Sequence, residues 1–143
     1  GGGIKEYADI IDFSRINNSK KFFFCSWLKT GPLVFKKKVY KKIGGWEQFA
    51  NVGESDHFAD KYVTHKVWKS GYKAALLINK NTLMWKRRYS RDDNLTKKDL
   101  QKMKNRNITW QLNKKKFIQK TKKSLYSVER KVITANLKIG ITI

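Results

Sequence analysis

The strongest constraint on the fold is the stretch from residue 31 to residue 72, where two helical patterns each end at glycine. Residues 32–35 form a short apolar run of strand length, and residues 36–43 place apolar side chains at helical spacing. Gly44-Gly45 follows directly, and glycine just past the last helical turn is a common helix terminator. The pattern therefore predicts a strand, followed by a helix that ends at residue 43.

An acidic segment opens the second helical pattern, although the protein as a whole is strongly basic. The segment contains Glu54, Asp56 and Asp60. We predict a helix over residues 56–70, because its apolar side chains fall on one face. Gly71 ends this helix, and residues 73–79 have the apolar pattern of a strand. The apolar face of the helix consists of Ala59, Tyr62, Val63 and Val67.

This order of parts resembles the acceptor-side half of family-2-type glycosyltransferases, which carry a helix ending in Gly-Gly-Phe or Gly-Gly-Trp, an acidic loop and a helix ending in Gly-Tyr. Those enzymes have the GT-A nucleotide-sugar fold, and the resemblance covers roughly residues 30–88. It implies an α/β fold, with a partial GT-A-like mixed sheet flanked by helices. We expect this part at residues 1–88 and a basic, mainly helical extension at residues 89–143.

The resemblance also implies that an acidic residue at the entrance of the second helix acts as a general base. Such a carboxylate takes the proton from the acceptor hydroxyl as its oxygen attacks the anomeric carbon, and a helix N-terminus stabilises the charge. Spacing from Gly71-Tyr72 favours Asp60, with Asp56 second and Glu54 third. The structural alternative is that Asp56 caps the helix and Asp60 is a surface partner for Thr64 or Lys61.

Aromatic and histidine side chains flank the acidic segment. By the same resemblance, Trp46 and Phe49 are expected to line the acceptor site. His57 adjoins Asp56 and is a candidate substrate-binding partner near the same pocket, although a lone loop histidine is more often incidental. His65 falls in the middle of the second helix, and we expect it at the surface.

Two departures from the family pattern concern the metal and the nucleotide. The family usually has a histidine metal ligand after the strand that follows Gly-Tyr, but here the neighbourhood is Leu83-Met84-Trp85. An Asp-x-Asp motif, which grips the sugar diphosphate, does not occur upstream of residue 31. We therefore expect no metal ligand from this chain, and Mg²⁺ or Mn²⁺ only from a missing nucleotide-binding half.

The sequence-based hypothesis is thus a portion of a glycosyltransferase. It transfers a sugar from a nucleotide sugar to a hydroxyl of a glycan or protein acceptor, and a second polypeptide completes the fold. Lys86, Arg87, Arg88 and Arg91 follow a strand pattern and would neutralise the diphosphate of the leaving nucleotide.

The charge distribution supports a second hypothesis, in which the protein binds a polyanion. The formal net charge is +22, and residues 61–143 hold 23 Lys or Arg against four Asp or Glu. Such an excess attracts nucleic acid and anionic membranes, and residues 86–123 are the expected contact. The alternative function is therefore a basic nucleic-acid-binding or structural protein of a ribonucleoprotein or viral particle.

Elements outside the central stretch are expected to be short. Residues 22–28 are a dense apolar run typical of a buried strand, and residues 74–85 form a hairpin or a kinked edge strand. Thr96 with Asp99 three residues later is a capping pattern, which predicts a helix over residues 97–106.

The rest of the chain is predicted to be mainly helical. We expect residues 108–117 to continue as helix and residues 125–133 to form an amphipathic helix. Alternating apolar residues over 137–143 predict a final strand.

Cysteine and hydropathy patterns bear on the compartment. Cys25 is the single cysteine, so an intrachain disulfide and a cysteine-based metal site are excluded. No signal peptide is visible, and no run approaches the ~20 apolar residues of a membrane span. We expect a cytoplasmic or peripheral membrane location, with a start at Gly-Gly-Gly that is not the natural one.

Overall fold

The computed structural model describes residues 22–28, 33–51, 56–77 and 96–141, and the fold is given for these residues. They form a mixed α/β structure that is mostly helical, which confirms the predicted α/β class. No helix in these ranges is both long enough and apolar enough to cross a membrane. The elements are β1 (Phe22–Phe24), α1 (Lys37–Lys42), α2 (Ala59–Lys69), β2 (Ala75–Leu77), α3 (Lys97–Thr121) and α4 (Leu125–Lys138).

The two strands pair antiparallel, with Phe23 opposite Leu76 at the centre. The side chain of Asn136 on α4 continues the hydrogen bonding on β1: its Oδ1 accepts from the Phe24 N–H at 2.8 Å, and its Nδ2 donates to the Phe24 carbonyl at 2.9 Å. A helix side chain thus takes the place of a neighbouring strand. The predicted strands over 22–28 and 73–79 are both present, and each covers three of the described residues.

Two other strand predictions are wrong within the described residues. Residues 33–36 belong to no strand of the described sheet, and Val34 is 93% exposed. The predicted strand over 137–143 fails because α4 continues to Lys138 and Gly140, at φ 78°, then turns the chain. The predicted hairpin over 74–85 extends beyond the described residues.

Both glycine-terminated helices are confirmed, although α2 begins at Ala59 rather than at residue 56. Gly44, Gly45 and Gly71 all have positive φ, between 74° and 86°, a conformation that favours glycine. A Cβ at Gly45 would also come within 3.2 Å of the Tyr40 ring. The chain therefore leaves each helix in a sharply defined direction.

The basic C-terminal part contains two helices in place of the three predicted helical segments. The segments over 97–106 and 108–117 form one 25-residue helix, α3, and the capping box of Thr96 and Asp99 at its start is confirmed. The first three turns of α3 are exposed, whereas its second half packs on α2. The last amphipathic helix, α4, packs on both β1 and α2.

The main apolar core lies between the sheet, α1, α2 and α4. It includes residues from both sides of position 88, where we placed a domain boundary: Phe23, Cys25, Val39, Ile43, Val63, Val67, Trp68, Ala74, Val128, Val132 and Ala135. A second cluster of Phe49, Phe58 and Phe117 lies at the entrance of α2. The predicted apolar face of α2 is buried at Ala59, Val63 and Val67, and half-buried at Tyr62.

Candidate functional site

Residues 46–50, which follow α1, are folded around the carboxylate of Asp56. Its Oδ1 accepts hydrogen bonds from the N–H groups of Phe49 at 2.7 Å and Ala50 at 2.9 Å. Its Oδ2 accepts from the indole Nε1 of Trp46 at 3.3 Å. Hydrogen bonds to an ionised acceptor are among the strong ones. Asp56 therefore fixes the 46–50 loop, and the alternative that it caps α2 is wrong.

The chain turns sharply at Phe58, the residue before α2. Its φ of 69° lies in the left-handed region, which is unusual for a bulky side chain and costs of order 1–3 kcal/mol. Packing compensates for this strain, because the Phe58 ring is buried against Trp27, Trp110 and Phe117, with centroid distances of 5.2–5.8 Å. Such strain is typical of functional sites.

Asp60 lies in the first turn of α2 and is buried. Its Oδ1 accepts from the Lys61 N–H at 2.8 Å, and its backbone carbonyl accepts from the Thr64 hydroxyl at 2.8 Å. The structural alternative named Lys61 or Thr64 as the partner of Asp60, and both contacts are present; only the surface location is wrong, because Asp60 is 8% exposed.

His57 lies between Asp56 and Asp60 in sequence, and the charges of both affect the pKa of its imidazole. Burial lowers the pKa of its imidazole, as does the charge of Arg106, and the charges of Asp60 and Asp56 oppose this shift. The ring is therefore neutral at pH 7. Its Nε2 atom is buried and has no hydrogen-bond partner among the described residues. The entrance of α2 thus combines two carboxylates with a neutral imidazole.

Three lysines hold the same loop from the neighbouring helices. Lys66 of α2 donates to the Gly45 carbonyl at 3.0 Å, and Lys116 of α3 donates to the Phe49 carbonyl at 2.7 Å. Lys120 of α3 pairs with Glu47 at 2.8 Å at the surface. Burial lowers the pKa of Lys66. These contacts hold the loop against α2 and α3.

The structure brings five of the predicted site residues to one end of α2: Trp46, Phe49, Asp56, His57 and Asp60. Trp46 is 37% exposed and could contact a ligand, whereas Phe49 is 5% exposed and belongs to the second apolar cluster. In the four described ranges, no three metal-ligating side chains come together. The candidate base Glu54 and the candidate phosphate ligands Lys86, Arg87, Arg88 and Arg91 lie outside the described residues.

The expectation that His65 lies at the surface is wrong. The residue is 3% exposed, its Nε2 lies 2.8 Å from the Ser124 hydroxyl, and its ring meets Phe117 edge to face. Burial lowers the pKa of the imidazole to about 4, with smaller contributions from Lys69 and Lys61. His65 is therefore a neutral core residue that links α2 to the start of α4.

A cleft that the sequence did not predict lies at the other end of α2. It encloses about 540 Å³ between the α2 C-terminus and α4, and we call it the cationic cleft. None of the described residues that line it is acidic. Its cations are Lys73, Arg130, Lys131 and Lys138, and its other described lining residues are Trp68, Gly71, Tyr72, Tyr126, Ser127, Thr134 and Ala135.

The cationic cleft has a wide mouth and a fixed floor. The indole Nε1 of Trp68 donates to the Cys25 carbonyl at 2.9 Å, and Lys131 donates to the Trp68 carbonyl at 3.4 Å. Trp68 is 2% exposed, whereas Tyr126 at the rim is 70% exposed. Because residues 68–73 and 126–138 are far apart in sequence, only the tertiary fold assembles this cleft.

Comparison of the chain with models of protein families, with curated proteins and with solved structures found no match.

Proposed function

We propose that this chain is the acceptor-side portion of a glycosyltransferase of the GT-A type. The observation that carries the proposal is the arrangement at the entrance of α2. There Asp56 binds the 46–50 loop, Phe58 turns the chain in a left-handed conformation, and Asp60 occupies the first helical turn. The order helix, Gly-Gly-Trp, acidic turn, helix, Gly-Tyr and strand supports it as well.

The two carboxylates have different roles in this proposal. Asp56 already accepts three hydrogen bonds, so it positions the loop that carries Trp46. Asp60 is the proposed general base, because it lies in the first turn of α2 and its spacing from Gly71-Tyr72 matches the family pattern. Trp46, which is partly exposed beside Asp56, is the proposed contact for the acceptor sugar.

The proposed reaction is a displacement at the anomeric carbon of a nucleotide sugar. Asp60 takes the proton of the acceptor hydroxyl as the oxygen forms its bond to the anomeric carbon. The bond between that carbon and the diphosphate oxygen breaks, and the nucleoside diphosphate leaves with the electron pair. A nucleotide-binding half with an Asp-x-Asp motif must be supplied by another segment or polypeptide, together with any Mg²⁺ or Mn²⁺.

The experiment isolates the protein with its natural partners and measures nucleoside diphosphate released from a panel of UDP- and GDP-sugars in the presence of saccharide acceptors. We expect Asp60→Asn to lower turnover at least about 100-fold, since general-base catalysis contributes about 10²–10⁴. Glu47→Gln is the matched control, because Glu47 is an acid of the same region that makes only a surface ion pair. Turnover that survives the double substitution of Asp56 and Asp60 by Asn would refute the proposal.

A further inference from the structure

Helix α4 exposes an apolar stripe on the side that faces away from the core. Tyr126, Ile133 and Leu137 are 70%, 40% and 54% exposed, and their spacing of seven and four residues puts them on one helical face. The core-facing side of the same helix is formed by Val128 and Val132. The stripe spans about 16 Å at the helical rise of 1.5 Å per residue. A row of large exposed apolar side chains on one face indicates an interaction surface.

Cations lie directly beside this stripe. Arg130 falls between Tyr126 and Ile133 on the helix surface, and its guanidinium lies 5.8 Å from the Tyr126 ring centroid. Tyr126 and Arg130 also line the cationic cleft, together with Lys73 and Lys138. The apolar stripe and the cleft therefore form one continuous surface.

We propose that this surface binds an anionic phospholipid at a membrane–water interface. The phosphate of the headgroup occupies the cationic cleft, while Tyr126, Ile133 and Leu137 enter the boundary between headgroups and acyl chains. An amphipathic helix with cations beside an apolar face lies in the interfacial plane in this way. Tyrosine is enriched at this depth because its ring is apolar and its hydroxyl remains hydrated.

The composition of the surface favours a lipid over a nucleic acid. Phosphate backbones attract cations and bases stack on aromatic rings, which would use Arg130 and Tyr126. Neither interaction uses the exposed aliphatic side chains of Ile133 and Leu137, whereas burial in lipid does. The excess of positive charge in residues 61–143 also attracts an anionic leaflet. This inference does not rest on glycosyl transfer.

The test measures co-sedimentation of the full chain with vesicles of phosphatidylcholine, with and without phosphatidylserine. The cleft variant is Lys73→Ala with Arg130→Ala and Lys138→Ala; Lys131 is left in place because it bonds to α2. The control removes three cations from the exposed first half of α3: Lys98→Ala with Lys102→Ala and Lys104→Ala. We expect the cleft variant to bind about 100-fold more weakly, at roughly fivefold per cation, and the control to lose about threefold through screened, longer-range attraction.

A second variant pair tests the apolar stripe separately from charge. The double variant Ile133→Ser with Leu137→Ser should bind vesicles about tenfold more weakly than wild type. This ratio of affinities should not change with salt concentration, because neither substitution alters a charge. The control, Leu100→Ser with Met103→Ser, changes two comparably exposed residues of α3 and should bind as wild type does.

Three results would overturn the inference. The first is equal vesicle binding by the cleft variant and its lysine control. The second is no effect of the Ile133 and Leu137 substitutions. The third is displacement of the protein from vesicles by a single-stranded RNA whose own binding is lost in the cleft variant, which would assign the cleft to nucleic acid.

Discussion

Replacement of Asp56 by alanine tests how the loop at the entrance of α2 is held. The substitution removes three hydrogen bonds to a charged acceptor and leaves the N–H of buried Phe49 without this partner. A hydrogen bond to a charged group contributes about 1.5–3 kcal/mol. The bonds to Ala50 and to exposed Trp46 contribute less, because water replaces the acceptor there. We therefore expect the free energy of unfolding to fall by about 2–4 kcal/mol.

The measurement is urea denaturation of wild type and Asp56→Ala, followed by tryptophan fluorescence and by circular dichroism. The midpoint should fall while the slope of the free energy against urea stays constant, because the same surface is exposed on unfolding. At about 2–4 °C per kcal/mol for a chain of this size, the Tm falls by about 4–16 °C. Glu47→Gln is the control and should change stability by less than about 1 kcal/mol, as exposed ion pairs do. A loss below about 0.5 kcal/mol in Asp56→Ala would show that Asp56 does not hold the loop.

Three further predictions concern the core. The free energy of unfolding should fall as the pH drops from 6.5 towards 4, by at most about 3 kcal/mol. The reason is that His65 is neutral in the folded protein and takes up a proton on unfolding. Urea titrations of the His65→Gln variant should show a smaller pH dependence. The Cys25 thiol, whose pKa burial raises to about 12, should react with iodoacetamide only after unfolding, and mass spectrometry would detect earlier alkylation. Asn136→Ala leaves the N–H and carbonyl of Phe24 on β1 without their partner and should cost about 2–4 kcal/mol in thermal unfolding; a cost below about 1 kcal/mol would contradict this.

Local chemistry accounts for the parts of the fold that the sequence predicted correctly. Gly44-Gly45 and Gly71 end helices because of their own conformational freedom, and Thr96 caps α3 through a residue three positions away. Each of these signals lies within a few residues of the feature that it determines. These signals account for helix ends only, since the sheet pairs β1 with β2, which lies far along the chain.

Tertiary contacts account for what the sequence could not predict. His65 is buried by tertiary contacts, and its Nε2 lies 2.8 Å from the hydroxyl of Ser124, which is 59 residues away. The alternating pattern after residue 136 predicts a strand, yet α4 extends to Lys138, and its buried Asn136 bonds to Phe24 of the sheet. The cationic cleft likewise depends on which residues of α4 face Gly71 and Lys73. The sequence predicts the carboxylates of Asp56 and Asp60 as one group. Their hydrogen bonds show that they differ: Asp56 binds the 46–50 loop, whereas Asp60 bonds within the first turn of α2.

The two proposed sites lie at opposite ends of α2 and share no residue. The 11 residues of α2 separate them by about 16 Å. The helix dipole favours Asp60 at the positive N-terminus and the ammonium of Lys131, which bonds the Trp68 carbonyl near the negative C-terminus. A phosphate in the cationic cleft therefore depends on the side-chain cations and not on the dipole of α2. If both proposals hold, Asp60→Asn should lower sugar transfer at least about 100-fold without changing vesicle binding. The cleft variant should weaken vesicle binding without changing sugar transfer to a water-soluble acceptor in the absence of vesicles. Loss of both activities in either variant would instead show that α2 had been disrupted, and circular dichroism would detect that directly.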